Sequence, residues 1–409
     1  MVLGVFPAAR ADAPTPAPAP VPSTRDWLDP ASTPFLLIPE IDTDPNSGTT
    51  LGVLVVRLST DPQGAIRRIL APDVIYNQNF GYGARARIFA FPSDDKQWSV
   101  VAGGKERVER EFDAVYETGR ERLSHWSIKL ESVFDRSGTP RYYGIGNQTP
   151  QSNETNYTFQ QAYVSGVIGY NFSPVWQVAL TTRWRNADVT PGTLSGIPSI
   201  ETSFGDLPGN GDLNEIINRV ALIRDTRDDP GVPTHGARIV VYAGVASPYA
   251  ASNESLYSEV GYDVRGYWSL SPRSVLAGYT ALRYMPSFRN APFWALSSIG
   301  GDTSEVAGVL PLRGYGTSRF YDRNAICANL ELRERAYSFH TGGSVVDLEL
   351  APFVDVAQVF GQSDLAFAQL HAVGGIGIRA IARPTVVAYL DIGRGSEGTA
   401  VYTGINYPF

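Results

Sequence analysis

The chain has 409 residues, 43% hydrophobic and 18% charged, with 40 Gly, 21 Tyr, 18 Phe, 7 Trp and a formal net charge of -7. No run approaches the roughly 18 to 20 consecutive apolar residues that a spanning helix needs, which excludes a helical membrane protein, and the acidic balance without a basic stripe excludes nucleic acid as a partner. A single cysteine, Cys327, rules out an intrachain disulfide and a cysteine-rich metal site; four dispersed histidines point to no metal cluster and no cofactor.

Residues 1–33 read as the remnant of a signal peptide, with small-x-small sites at Ala9-Arg10-Ala11 and Ala11-Asp12-Ala13, followed by a Pro/Ala-rich leader over 13–23 too extended to build a core. From there to the end the dominant period is two. Val178, Leu180, Thr182 and Trp184 alternate with Gln177, Ala179, Thr181, Arg183 and Arg185, the pattern of a strand with one apolar and one wet face. Strands are predicted near 48–59, 66–78, 80–92, 97–116, 119–135, 156–172, 174–188, 216–225, 237–247, 253–269, 272–286, 323–337, 345–360, 369–382, 385–393 and 399–409. That tally of sixteen predicts an all-β, 16-stranded antiparallel transmembrane β-barrel over 34–409, with a long loop folding inward. The long connections (136–155, 189–215, 287–322) all follow odd strands, as expected of outer loops facing short periplasmic turns. Residues 34–41 read as a lead-in, because a seventeenth strand would put the N-terminus outside. The segment 106–117 fits helical spacing too, with strand preferred.

Several motifs belong together. Leu312-Arg313-Gly314-Tyr315 sits in the longest loop. Asp225-Thr226-Arg227-Asp228-Asp229-Pro230 is followed by Pro233 and Gly236, and Phe353-Val354-Asp355 lies on a later strand. With Pro39-Glu40 through Gly48 and Gly52, and Tyr143-Gly144-Ile145-Gly146-Asn147, the sequence resembles the superfamily of outer-membrane barrels that includes barrel-assembly and translocation-assembly subunits of the BamA and TamA type, two-partner secretion transporters and bacterial surface antigens. The resemblance implies that Arg313, Gly314 and Tyr315 form a tip docking inside the barrel. It also implies that Asp225, Arg227, Asp228, Pro233 and Gly236 form a periplasmic turn, and that the protein resides in the outer membrane of a diderm bacterium. Fewer than 50 residues precede the first predicted strand, so the expectation is a barrel-only member without POTRA domains.

Face parity supplies partners for the tip. Glu331 and Asp355 both fall on inward positions of their strands, where a guanidinium can take two carboxylates in its fork; Gly375 and Gly377 leave room on the next inner face. The end of the chain reads Tyr402-x-Gly404-x-x-Tyr407-x-Phe409, which resembles a sorting signal for outer-membrane assembly. Val401, Thr403, Ile405, Tyr407 and Phe409 share one face, and Pro408 removes a ladder donor. The seam of 399–409 against 48–59 is therefore expected to be the weakest pairing. His125 and Ser127 share an inward parity but no orienting acid is placed, and no G-x-S-x-G elbow occurs, so the chain reads as a non-enzyme. The expected function is insertion or translocation of protein or lipid at the outer membrane, with outer-membrane lipids and a periplasmic or outer-membrane protein as partners. The other reading is a porin-like or structural barrel.

Overall fold

The computed structural model describes residues 36–61, 66–93, 95–119, 122, 124–249, 256–302, 304, 308–341, 344–361, 369–382, 385–404 and 407–409. The leader 1–33, and Ile405 of the terminal pattern, lie outside the described residues. One sheet of 20 strand segments dominates the fold. In chain order its spanning strands are β1 (Leu36–Asp44), β2 (Gly48–Thr60), β3 (Ile66–Leu70, continued by Asp73–Asn77), β4 (Gly81–Ser93), β5 (Lys96–Lys105), β6 (Arg110–Thr118), β7 (Trp126–Ser137), β8 (Thr155–Asn171) and β9 (Trp176–Pro191). They continue as β10 (Gly211–Asp225), β11 (Gly236–Pro248), β12 (Leu256–Ser269), β13 (Ser274–Arg289), β14 (Asn324–Thr341), β15 (Ser344–Phe360), β16 (His371–Ala382), β17 (Thr385–Gly395) and β18 (Gly398–Gly404). Each pairs antiparallel with the next, and β18 returns to β1 through Thr43 opposite Val401. The remaining segment, Arg141–Tyr142, is a two-residue annex on β8.

The all-β antiparallel barrel is the fold that alternation predicts. Leu180, Trp184, Leu330 and Val354 stand exposed on the outer wall, while Asn329, Glu331 and Asp355 on the opposite parity are buried inside. The strand tally needs correction, and the reasons are local. Residues 97–116, read as one strand, are a hairpin that turns at Glu106 to Glu109, with Val108 at φ 50°. Leu36–Asp44, read as a lead-in, is a full strand in register with β2 from Leu36 opposite Val56 to Asp44 opposite Gly48. Two spanning strands were thus missed, so the described residues form eighteen. Their combined addition preserves the parity that each alone would break, and long connections still follow odd strands. Residues 66–78 are also interrupted, at Ala71 and Pro72, because Pro72 has no N–H for the ladder.

The long connection between β13 and β14 turns into the lumen. It carries a small ribbon, Ser297–Ile299 against Phe320–Asp322. Ile299, Leu310, Leu312, Tyr315 and Phe320 pack as one buried cluster with Tyr267, Tyr279, Phe353 and Val373 of the inner wall. Toward the outer mouth the same connection meets the loops after β7 and β9. Tyr142, Tyr157 and Phe293 pack there edge to face with centroids 5.0–5.2 Å apart, with Tyr321 beside them.

Candidate functional site at the docked loop

Arg313 is fully buried, and an uncompensated guanidinium there would be prohibitive. Its Nε and Nη2 donate to the two oxygens of Asp355 at 2.9 and 2.8 Å, its backbone N–H donates to the same carboxylate at 3.1 Å, and Nη1 reaches Glu331 at 2.8 Å. The structure therefore brings Arg313 together with both acids that parity pointed inward. Its reach is wider than the sequence indicated, because Nη1 also donates to Asp391 of β17 at 2.9 Å. Arg379 of β16 bridges Glu331 and Asp391 at 3.0 and 2.9 Å, and Arg333 donates to Glu331 at 2.8 Å. Three guanidiniums and three carboxylates balance, and the Arg313 guanidinium carbon lies 3.6 Å above the Phe353 ring. Asp391, Arg379 and Arg333 escaped the sequence reading although their inward parity was available; only the docked position of the loop shows that they converge.

Glycines make room for the tip. A Cβ at Gly393 would collide with the Arg313 carbonyl oxygen, and one at Gly377 with Arg379 and Asp391. At Gly395 it would lie 2.5 Å from the Tyr315 ring. Gly314 itself passes close to Val373 and the Gly395 backbone. Tyr315 is anchored at both ends, its hydroxyl on Ser396 at 2.8 Å and its carbonyl accepting from Tyr402. Tyr402 thus faces the lumen, on the inward parity of β18.

The terminal pattern is the largest correction. The last strand ends at Gly404, and Tyr407 and Phe409 are inside the lumen instead of on the outer face of a seam strand. Phe409 stacks on Tyr279 with centroids 5.4 Å apart, Pro408 accepts from Ser304 at 3.0 Å, and Tyr407 lies under the Arg333 guanidinium at 3.6 Å. Aromatic burial and two cationic faces outweigh continued alternation here. Gly404 borders the Tyr389 ring. The partner of β18 across the seam is β1, not 48–59, and among the described residues their register is the single pair Thr43 and Val401.

The turn between β10 and β11 is compact. Arg227 forks onto Asp225 at 2.9 and 2.7 Å, Asp229 accepts from the amides of Gly231 and Val232, and Gly236 adopts φ 93° against the Thr226 carbonyl. Pro233 shares the loop with Asp228, whose carboxylate accepts from the Thr234 amide and hydroxyl and the His235 amide at 2.6–3.0 Å. Burial alone would raise the Asp228 carboxyl, but these hydrogen bonds outweigh it and hold it below the ordinary carboxylate range. A depressed folded value gives stability that is present above the unfolded value of about 3.9 and lost as pH falls through the folded one. Pepsin digestion across that interval is expected to open 226–236 on acidification, and an Asp228→Asn variant to show the open pattern at the upper end already.

His125 and Ser127 are directed apart. The His125 ring meets the Asn171 carbonyl at 3.3 Å and Ser127 accepts from Gln177 at 2.8 Å. Cys327 is buried and free.

Comparison with known proteins decides the family, because the description "Omp85 superfamily domain" matches residues 108–379, well over half of the chain. This chain belongs to the Omp85 superfamily. Among solved structures the Omp85 chain is similar to BamA from Haemophilus ducreyi lacking POTRA domains 1-3, at 14% identity and a TM-score of 0.51, over 91% of this chain and 75% of that one. That likeness is one of fold. CdiB from Acinetobacter baumannii matches at 12% identity and a TM-score of 0.49, over 91% of this chain and 59% of that one. CdiB from Escherichia coli matches at 11% and 0.46, over 91% and 67%. No curated protein matches the sequence. The Omp85 chain is an outer-membrane β-barrel of a diderm bacterium, in a family of translocation and assembly proteins.

Proposed function

We propose that this barrel assists insertion or translocation of protein or lipid at the outer membrane by parting its first and last strands. One observation carries the reading: β1 is in register with β2 along all 9 of its residues and β18 with β17 along all 7, yet among the described residues β1 and β18 share one registered pair. A contact with few ladder bonds opens first. The porin-like alternative fits less well, since the docked loop packs against the inner wall from β12 to β16, loops pack together at the outer mouth and Tyr407 and Phe409 lie inside the lumen. The proposed partners are outer-membrane lipids and a periplasmic or outer-membrane protein. The proposed latch is Arg313-Gly314-Tyr315 on Glu331 and Asp355, and the proposed activity requires no catalytic residue.

Cysteines at Thr43 and Val401 test this, since buried Cys327 does not compete. The oxidised pair in liposomes is expected to lose insertion of an unfolded outer-membrane barrel substrate, and reduction to restore it. Equal insertion with the seam locked would rule out lateral parting, and a stable conductance in planar bilayers would favour a pore.

A further inference from the structure

The inner mouth of the lumen carries a second arrangement of charge. A cavity of about 250 Å³ lies there between the β10–β11 and β12–β13 turns, bordered by Leu270, Arg273, Arg333, Arg335, Glu349 and Tyr407. Arg333 and Glu349 are both more than nine-tenths buried. Arg333 uses Nε on Glu331 and Nη2 on the Phe409 carbonyl at 3.3 Å, while its Nη1 has no hydrogen-bond acceptor among the described residues. Glu349 accepts from the Tyr407 hydroxyl at 3.2 Å through Oε2, while Oε1 is likewise unmatched. Tyr407 joins the two, its ring on the guanidinium and its hydroxyl on the carboxylate.

Two side chains that border one cavity thus hold a buried donor and a buried acceptor without partners, which is costly unless something satisfies both. A plain anion would be opposed by Glu349, and a plain cation by Arg333 with Arg335 and Arg273. Arg335 is held at 3.1 Å from Asp347, and Arg273 is exposed at the rim. The complementary ligand bears an anion and a protonated amine a few bonds apart. The rim also includes Leu270, an exposed apolar residue two positions from exposed Trp268, at the level where barrel aromatics meet the headgroups.

We propose that this cavity binds a phosphoethanolamine group, with the phosphate on the Arg273, Arg333 and Arg335 side and the ammonium on Glu349. The same chemistry belongs to free phosphoethanolamine and to the headgroup of a phosphatidylethanolamine. The site does not depend on whether the seam opens.

The test is calorimetric titration of the full chain in nonionic detergent with short-chain phosphatidylethanolamine and phosphatidylcholine. The trimethylammonium of the second cannot donate to Glu349, so the first is expected to bind about tenfold tighter, the worth of one charge-assisted hydrogen bond. Glu349→Gln is expected to abolish that preference, and Arg273→Gln, at the rim where folding is not at stake, to weaken both lipids. Competition by free phosphoethanolamine would show that the headgroup suffices, and its failure to compete would assign the site to the lipid. Equal binding of the two lipids, no saturable binding of either, or an Arg273→Gln variant that binds like the parent would overturn the proposal.

Discussion

Arg313→Ala is expected to eject the loop while leaving the barrel standing. The substitution strips Asp355 of its bidentate partner and takes one of two guanidiniums from Asp391, and an uncompensated buried charge of this kind costs about 3–5 kcal/mol. The apolar side chains of the connection stay in place only if its tip does, so 290–323 should become cleavable by protease added from outside in intact cells. The strand ladders do not pass through Arg313, so slower migration after boiling, the mark of a closed barrel, should persist. Arg313→Lys should recover little, since an ammonium cannot fork onto Asp355 while reaching Glu331. An uncut loop in the alanine variant would mean that Leu310, Leu312 and Tyr315 hold it without the ions.

Gly393→Val should produce the same loop cleavage with every charge intact. A Cβ there meets the Arg313 carbonyl, a backbone atom that cannot move without withdrawing the tip. Overpacking of a filled core costs on the order of 1–3 kcal/mol, and a branched side chain in a backbone contact falls at the upper end. Gly166→Ala is the matched control, since a Cβ at that position meets only Leu130 at 3.8 Å. If both glycine variants resist protease alike, the tip does not approach β17 as closely as the structure indicates. Agreement between the arginine and glycine variants would assign loop retention to docking geometry as well as to charge.

Alternation settled the fold class because each strand meets the same two environments, lipid outside and a polar lumen inside, and a period of two survives any error in strand ends. The same parity put Glu331 and Asp355 inside, and the resemblance to the outer-membrane barrel superfamily pointed the Arg313 tip at them. What alternation could not resolve was a turn between two strands of similar composition, as at Glu106 to Glu109, or the strand identity of Leu36–Asp44, whose partner lies on β2 and whose other edge closes the ring. Convergence was out of reach for a different reason: Asp391 and Arg379 lie 78 and 66 positions beyond Arg313 in number, and only closure of the barrel around the docked loop brings them to one point. The terminal segment shows the limit most clearly. Tyr407 and Phe409 fit an outer apolar face by spacing, but Arg333, Tyr279 and Glu349 offer them aromatic and cationic contacts within the lumen, and such tertiary contacts outweigh a pattern that local sequence alone can state.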